Sequence, residues 1–257
     1  MKGLKYILLL AVLFTLGACQ RSQEERNRIL KVYNWADYID EDVLAEFPEW
    51  YKEQTGEDIE VIYQTFDINE IMLTKIERGH EDFDVVCPSE YIIERMMKKD
   101  MLQPINRDFG NTPDYIPNLA PYIQEELNKM SFDERKVTDY AVAYMWGTAG
   151  VLYNKGLVTE EEALTCGSLW DPKFNNKILM KDSYRDCYGL SIIYANTERL
   201  QKGEVTVEQL MNDNSKDAIV MAEEYLKMMK PNIAGWEADF GKEMMTKGKV
   251  WMNFTWS

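Results

Sequence analysis

Short apolar runs alternate with amphipathic helical patterns along most of the chain. Residues 29–33 and 59–63 read as strands, and Asp84-Val85-Val86-Cys87 as a short buried strand stopped by Pro88. Between them, residues 41–54 read as a helix ending before Gly56 with Pro48 an interruption, and residues 69–78 as a helix closed by Gly79. Residues 91–99 set Ile92, Ile93 and Met96 on one face with charges opposite. Residues 106–121, with Pro113, Pro117 and Pro121 among Asn and Asp, read as a loop. Strand-like runs at 137–142 and 150–153 then flank Met145-Trp146-Gly147-Thr148. A second rhythm follows: a strand at 177–180, helices at 184–196 and 217–229, a strand at 233–236, a helix near 239–246 and a strand at 249–254. Strands alternating with helices predict an α/β protein with a parallel or mixed sheet in each of two units, which meet near residues 140–150.

The longest apolar stretch sits at the start. Met1-Lys2-Gly3-Leu4-Lys5 is basic, residues 6–14 are apolar, and Leu16-Gly17-Ala18-Cys19 follows. The run is too short to span a bilayer and ends in small residues, which predicts a signal peptide over residues 1–19. The Leu-Gly-Ala-Cys string resembles the lipobox of bacterial lipoproteins, so Cys19 is the expected lipidation site. Residues 20–28 are polar and read as a tether. No later apolar run exceeds strand length, so the body is expected to be soluble and lipid-anchored, in the periplasm or on the outer face of the cytoplasmic membrane.

Charge narrows the partner. The 257 residues carry 44 acids against 29 Lys plus Arg, a net charge of −15; without Lys2 and Lys5 of the signal peptide it becomes −17. That excess argues against nucleic acid and suits a cationic partner, although acidity also serves solubility. At 46% hydrophobic and 12% aromatic the chain can bury a large core. After Cys19 the cysteines are Cys87, Cys166 and Cys187, which leaves at most one bridge: a Cys166–Cys187 pair or three buried thiols. The single histidine, His80, argues against a zinc site or a histidine-based triad. Neither a metal nor a cofactor is expected.

Aromatic and acidic residues cluster just beyond predicted strands, the end at which open α/β sheets bind ligands. The clusters are Asn34-Trp35-Ala36-Asp37-Tyr38, Pro88-Ser89-Glu90-Tyr91 and Asp182-Ser183-Tyr184-Arg185-Asp186, with Trp256 closing the last strand. Ring faces and carboxylates together are what an organic ammonium ion requires. Taken singly, each cluster can also be read as core aromatics with a helix cap, since Ser89, Asp182 and Ser183 all suit the N-cap position.

The string Val32-Tyr33-Asn34-Trp35-Ala36-Asp37-Tyr38-Ile39 resembles the opening strand of the spermidine/putrescine-binding proteins of ABC transporters. The likeness continues through Phe83-Asp84-Val85-Val86-Cys87-Pro88-Ser89-Glu90-Tyr91, Ser168-Leu169-Trp170, Asp182-Ser183-Tyr184-Arg185-Asp186 and residues 249–256. It implies a two-lobed periplasmic-binding-protein-like fold of type II, with an N-terminal lobe at 29–143, a hinge at 144–150 and a C-terminal lobe at 151–257. It also implies that Trp35 stacks on the alkyl chain of a polyamine and that Asp37 binds a terminal ammonium beside Tyr38. Tyr91 with Ser89, Asp186 and Trp256 complete the implied site; Ser183 stands where the family carries an acid. The family has a further stretch beyond the point matching Ser257, so the chain is expected to be truncated, with its second lobe incomplete.

The expected function is capture of putrescine or spermidine by a monomeric, lipid-anchored binding protein that serves the membrane permease of an ABC importer. The alternatives are a binding protein for another cationic solute, a polyamine-sensing lipoprotein, and a hydrolase using paired carboxylates such as Asp37 and Asp186. No nucleophile motif supports the last, and no catalytic residue is nominated.

Overall fold

A computed structural model describes residues 23–257 apart from His80, Asn111 and Asp239, and apart from the side chains of Gln23 and Glu24. The signal peptide and Cys19 lie outside the described residues, as does His80. Contacts divide the chain into two compact units. The first holds the described residues up to Phe66 and Leu73–Val142; the second holds Asp67–Met72 and Ala143–Ser257.

The first unit is built on β1 (Ile29–Trp35), whose pairing with β2 (Glu60–Phe66) on one side and β3 (Val85–Val86) on the other is parallel throughout. Tyr33 on β1 stacks on Phe83 with centroids 4.5 Å apart and meets Phe66 edge-on at 5.1 Å. The helix Glu90–Lys98 buries Ile92, Met96 and Met97, close to the face its spacing predicts. The helix Glu41–Thr55 opens on Asp40, whose carboxylate accepts the Asp42 N–H at 3.0 Å, and ends at Gly56, whose φ of 79° lies in the left-handed region glycine tolerates. It runs unbroken through Pro48, so the predicted interruption does not occur. A half-exposed network of Arg26 and Lys31 with Asp82 and Asp84 anchors the start of β1, and holds the Asp82 carboxyl well below the usual carboxylate range, Lys31 first and Arg26 second.

Two corrections concern the stretch after residue 120. Residues 121–129 form a helix, Pro121–Lys129, followed by a hairpin of β4 (Ser131–Phe132) and β5 (Arg135–Lys136). Its turn residues Asp133 and Glu134 have φ of 51° and 67°, the handedness that matches strand twist. The strand predicted at 137–142 is instead a single 3-10 turn, Val137–Asp139, in which Val137 alone is buried. Its β-branched residues match a strand, but no neighbouring strand takes up its backbone groups.

The second unit carries a mixed sheet in the order β6 (Ala149–Tyr153), β9 (Met252–Trp256), β7 (Ile178–Lys181), β8 (Ile233–Glu237). β6 pairs antiparallel with β9; β9 and β8 both pair parallel with β7. All of β7 is buried, which explains its continuous apolar run. Phe174, Met180, Met229, Met252 and Phe254 form the centre of the core, covered by the helices Tyr184–Ala195 and Lys216–Met229. A Cβ on Gly189 would meet only the tip of the Met211 side chain, on the helix Val207–Asn212. The last strand begins and ends later than residues 249–254, so Trp256 is part of β9 rather than beyond it.

Cys87, Cys166 and Cys187 are free thiols, which removes the Cys166–Cys187 bridge from the two sequence alternatives. Burial pushes the Cys87 thiol up to about 11 and the Cys187 thiol to about 12, and raises Cys166 as well. Cys87 and Cys187 should therefore react with iodoacetamide at pH 8 at least about a hundredfold more slowly in the native protein than after unfolding. Phe174→Ala, at a site 1% exposed, should lower stability in urea titration by about 3–5 kcal/mol; a loss under 1 kcal/mol would place this ring outside the core.

Candidate functional site

Parallel pairing brings the residues that follow β1 and β3 to one edge of the first sheet. The register Tyr33↔Val86 and the bond from the Cys87 N–H to the Tyr33 carbonyl (3.0 Å) set the chain after β3 beside the end of β1. Trp35 is the last residue of β1 and only 8% exposed. Its ring lies 4.5 Å from that of Phe66, its register partner on β2, and 5.9 Å from that of Tyr38. The Asn34 side-chain oxygen accepts the Trp35 N–H at 2.8 Å, and the Tyr63 hydroxyl donates to the Trp35 carbonyl at 3.4 Å, so the backbone at this point is held from two sides. Asp37 lies exposed in the turn that follows and Tyr38 is half-buried.

Ser89 and Tyr91, both half-buried, open the helix Glu90–Lys98. Ser89 occupies the N-cap position with extended backbone but makes no side-chain cap bond, contrary to the capping role its position suggests. Sequence reasoning gave no role to Phe66 or Asn34. The signal available for Phe66 is its place at the end of an apolar strand; Asn34 heads the first aromatic and acidic cluster, but its bond to the Trp35 N–H is a contact that the motif does not reveal.

In the second unit, β7 and β9 end side by side. Ser183 caps the helix Tyr184–Ala195, its hydroxyl accepting the Asp186 N–H at 3.3 Å. Asp186 is thereby fixed one turn into the helix, and its Oδ2 accepts the indole N–H of Trp256 at 2.9 Å. The backbone N–H of Asp182 donates to the Glu237 carbonyl at 2.9 Å, which ties the end of β7 to β8 while leaving the Asp182 carboxylate exposed. Lys181, the last residue of β7, is 4% exposed and carries its Nζ over the Trp256 ring, 4.2 Å from the centroid. Lys181 was not among the residues singled out from sequence, because a lysine ending a strand reads as a solvent-facing charge.

The structure thus joins Trp35 to Tyr38 in one unit, and Ser183, Asp186 and Trp256 in the other, by direct contact. Each cluster offers aromatic surface with a carboxylate at hand, the combination that binds an organic cation. Among the described residues, no group of three or more His, Cys, Asp or Glu could hold a metal ion. No described helix is long and apolar enough to cross a membrane.

Two α/β units of this kind, with aromatic and acidic groups at the carboxyl ends of their strands, define a type II periplasmic-binding-protein fold. Residues 49–257 match the profile of the bacterial extracellular solute-binding proteins, and the chain belongs to that family. Its curated relatives include the spermidine/putrescine-binding periplasmic protein of Salmonella typhimurium, 28% identical over 232 residues, covering 90% of this chain and 59% of the relative. The corresponding protein of Escherichia coli is 26% identical over 251 residues, covering 97% of this chain and 64% of its own. Among solved structures, a putative spermidine/putrescine ABC transporter from Listeria monocytogenes aligns with a TM-score of 0.70 at 33% identity, over 90% of this chain and 63% of that one. A spermidine/putrescine ABC transporter substrate-binding protein from Streptococcus pneumoniae aligns with a TM-score of 0.61 at 33% identity, over 90% and 62%. The chain therefore spans about 59–64% of the length of these curated relatives.

The Trp256–Asp186 bond makes a local prediction. Trp256→Phe keeps a ring over β7 but removes the indole donor, and should lower stability by about 1 kcal/mol in urea titration. An unchanged midpoint would mean that water replaces the donor fully.

Proposed function

We propose that this chain belongs to an extracytoplasmic binding protein that captures a polyamine, putrescine or spermidine, and delivers it to the membrane permease of an ABC importer. The observation that carries the reading is the pairing of Trp256 with Asp186 across the ends of β9 and β7, matched in the first unit by Trp35 with Tyr38 and the neighbouring Asp37. Each cluster has the chemistry for one ammonium end of a linear diamine. In this reading Trp35 and Trp256 lie along the alkyl chain, Asp37 and Asp186 take the ammonium groups, and Tyr38, Ser89, Tyr91 and Ser183 supply polar contacts around them. The likeness to the spermidine/putrescine-binding periplasmic proteins of Salmonella typhimurium and Escherichia coli supports the same ligand class. The acid surplus of the chain favours cation capture in the same sense.

The remaining parts of the proposal follow the sequence. Residues 144–150 form the hinge between lobes at 29–143 and 151–257, Cys19 carries the lipid, and the protein works as a monomer. Binding without chemical change is the whole activity, so no residue is given a catalytic role.

The test is thermal unfolding of the mature protein, expressed from its gene, with and without each ligand. Putrescine or spermidine at about 100 times its dissociation constant should add about 2.7 kcal/mol of stability. Asp37→Asn and Asp186→Asn should each remove most of that shift while leaving the unliganded melting temperature within a few degrees. A folded protein that shifts with neither ligand would defeat the polyamine reading. Cys19→Ser should release the protein from the membrane fraction; retention there would defeat the lipid anchor.

A further inference from the structure

The pairing of β1 with β3 stops at Tyr33, just where the aromatic and acidic cluster of the first unit begins. Val32 and Tyr33 are in register with Val85 and Val86, and the Tyr33 carbonyl accepts the Cys87 N–H at 3.0 Å. In a parallel ladder that continued, the next rung would give the Trp35 N–H to the Cys87 carbonyl, and the rung after it would bring the Ser89 N–H to the Trp35 carbonyl. Side chains take both places. The Asn34 Oδ1 accepts the Trp35 N–H at 2.8 Å, and the Tyr63 hydroxyl donates to the Trp35 carbonyl at 3.4 Å. Asn34 is 2% exposed, so its amide sits where an unbonded polar group would be costly. Strand alternation puts its side chain on the face opposite the Trp35 ring, which packs 4.5 Å from the Phe66 ring.

We propose that Asn34 is a positioning residue for the cation site of the first unit, an inference that rests on the polyamine reading above. By holding the Trp35 N–H, its side chain ends the ladder early. The chain after β3 is then released into the helix Glu90–Lys98, and the chain after β1 into residues 36–39. Where two neighbouring chains part at the carboxyl edge of a sheet, a ligand finds room between them. Trp35, Asp37 and Tyr38 belong to one of these chains, Ser89 and Tyr91 to the other. Asn34 acts through the backbone: its bond fixes the peptide that joins it to Trp35, and so the direction in which the Trp35 ring and the Asp37 carboxylate are carried. An apolar residue of the same size would leave the Trp35 N–H to the Cys87 carbonyl, extend the ladder by a rung and draw the two chains together.

The experiment measures putrescine and spermidine dissociation constants by calorimetry on the mature protein expressed from its gene. The variants are Asn34→Leu, Asn34→Asp, Tyr63→Phe and Val137→Ala, with melting temperatures as the folding check. Asn34→Leu keeps the shape and removes the acceptor, and should weaken both ligands about tenfold, the scale of one charge-assisted contact. Asn34→Asp keeps an acceptor oxygen for the Trp35 N–H, and should bind within about threefold of wild type or tighter, since its negative charge attracts the cation. Tyr63→Phe should weaken binding about threefold. Val137, 1% exposed, lies in the core of the same unit; Val137→Ala should lower the melting temperature and leave both dissociation constants within about twofold. A folded Asn34→Leu within about twofold of wild type overturns the inference, and so does a folded Asn34→Asp that loses as much as Asn34→Leu. A loss in Val137→Ala equal to that in Asn34→Leu overturns it as well, because affinity would then follow stability alone. Should the Asn34 variants fail to fold, an unmoved affinity in Tyr63→Phe overturns it instead. A wild type that binds neither ligand removes the polyamine reading and this inference together, whereas a wild type that binds but fails any of these comparisons removes this inference alone.

Discussion

Parallel strand pairing is the constraint on which the chemistry of both units depends. Where neighbouring strands run the same way, each chain leaves the sheet at the same edge, so residues distant in sequence arrive together without any contact between them having to be strong. In the first unit this sets the turn after β1 beside the start of the helix Glu90–Lys98. In the second it sets the end of β7 beside that of β9, 70 positions apart at Asp186 and Trp256. The side chains collected there are polar or amphipathic in part because the backbone ends that face this edge need capping, which Asn34 and Ser183 supply.

The interior of the second unit is unusual in admitting charge. Lys181 and Glu237 lie among the most buried side chains while Ile178, Leu179 and Met180 just before Lys181 form the apolar centre of the sheet. A buried charge persists only with partners, and here they come from backbone and aromatic groups as much as from side chains: a carbonyl and an indole face for the lysine, an amide and a backbone N–H for the glutamate. Such a network fixes positions more than it adds stability, since desolvation offsets much of what the contacts return. The surface ion pairs are a different matter. Pairs such as Lys52–Asp58 and Lys227–Glu223 are exposed on both sides and contribute little beyond solubility.

The thiols show the same environment acting on chemistry that is not used. Cys166 and Cys187 both pack against the second core, and the apolar surroundings that make them good core residues also keep their protons on. Among the described residues all three cysteines are unpaired, and burial raises the pKa of each thiol.

Residue order alone determined the α/β class and most strands and helices. Those features follow from local periodicity, glycine and proline punctuation, and short motifs such as Asn34-Trp35-Ala36-Asp37-Tyr38 that carry their meaning within a few residues. The misreadings were of a different kind. Residues 137–142 have strand-like composition but find no neighbouring strand, and Pro48 sits within a helix that continues around it. Only the tertiary structure decided which residues share a contact: that Phe66 braces Trp35, that Trp256 gives its N–H to Asp186, and that Lys181 turns inward onto an indole rather than outward to water. The reason is that register and burial are properties of pairs of segments. A lysine at the end of a strand has the same local sequence whether its neighbour offers solvent or a ring, and the neighbour is chosen by the sheet.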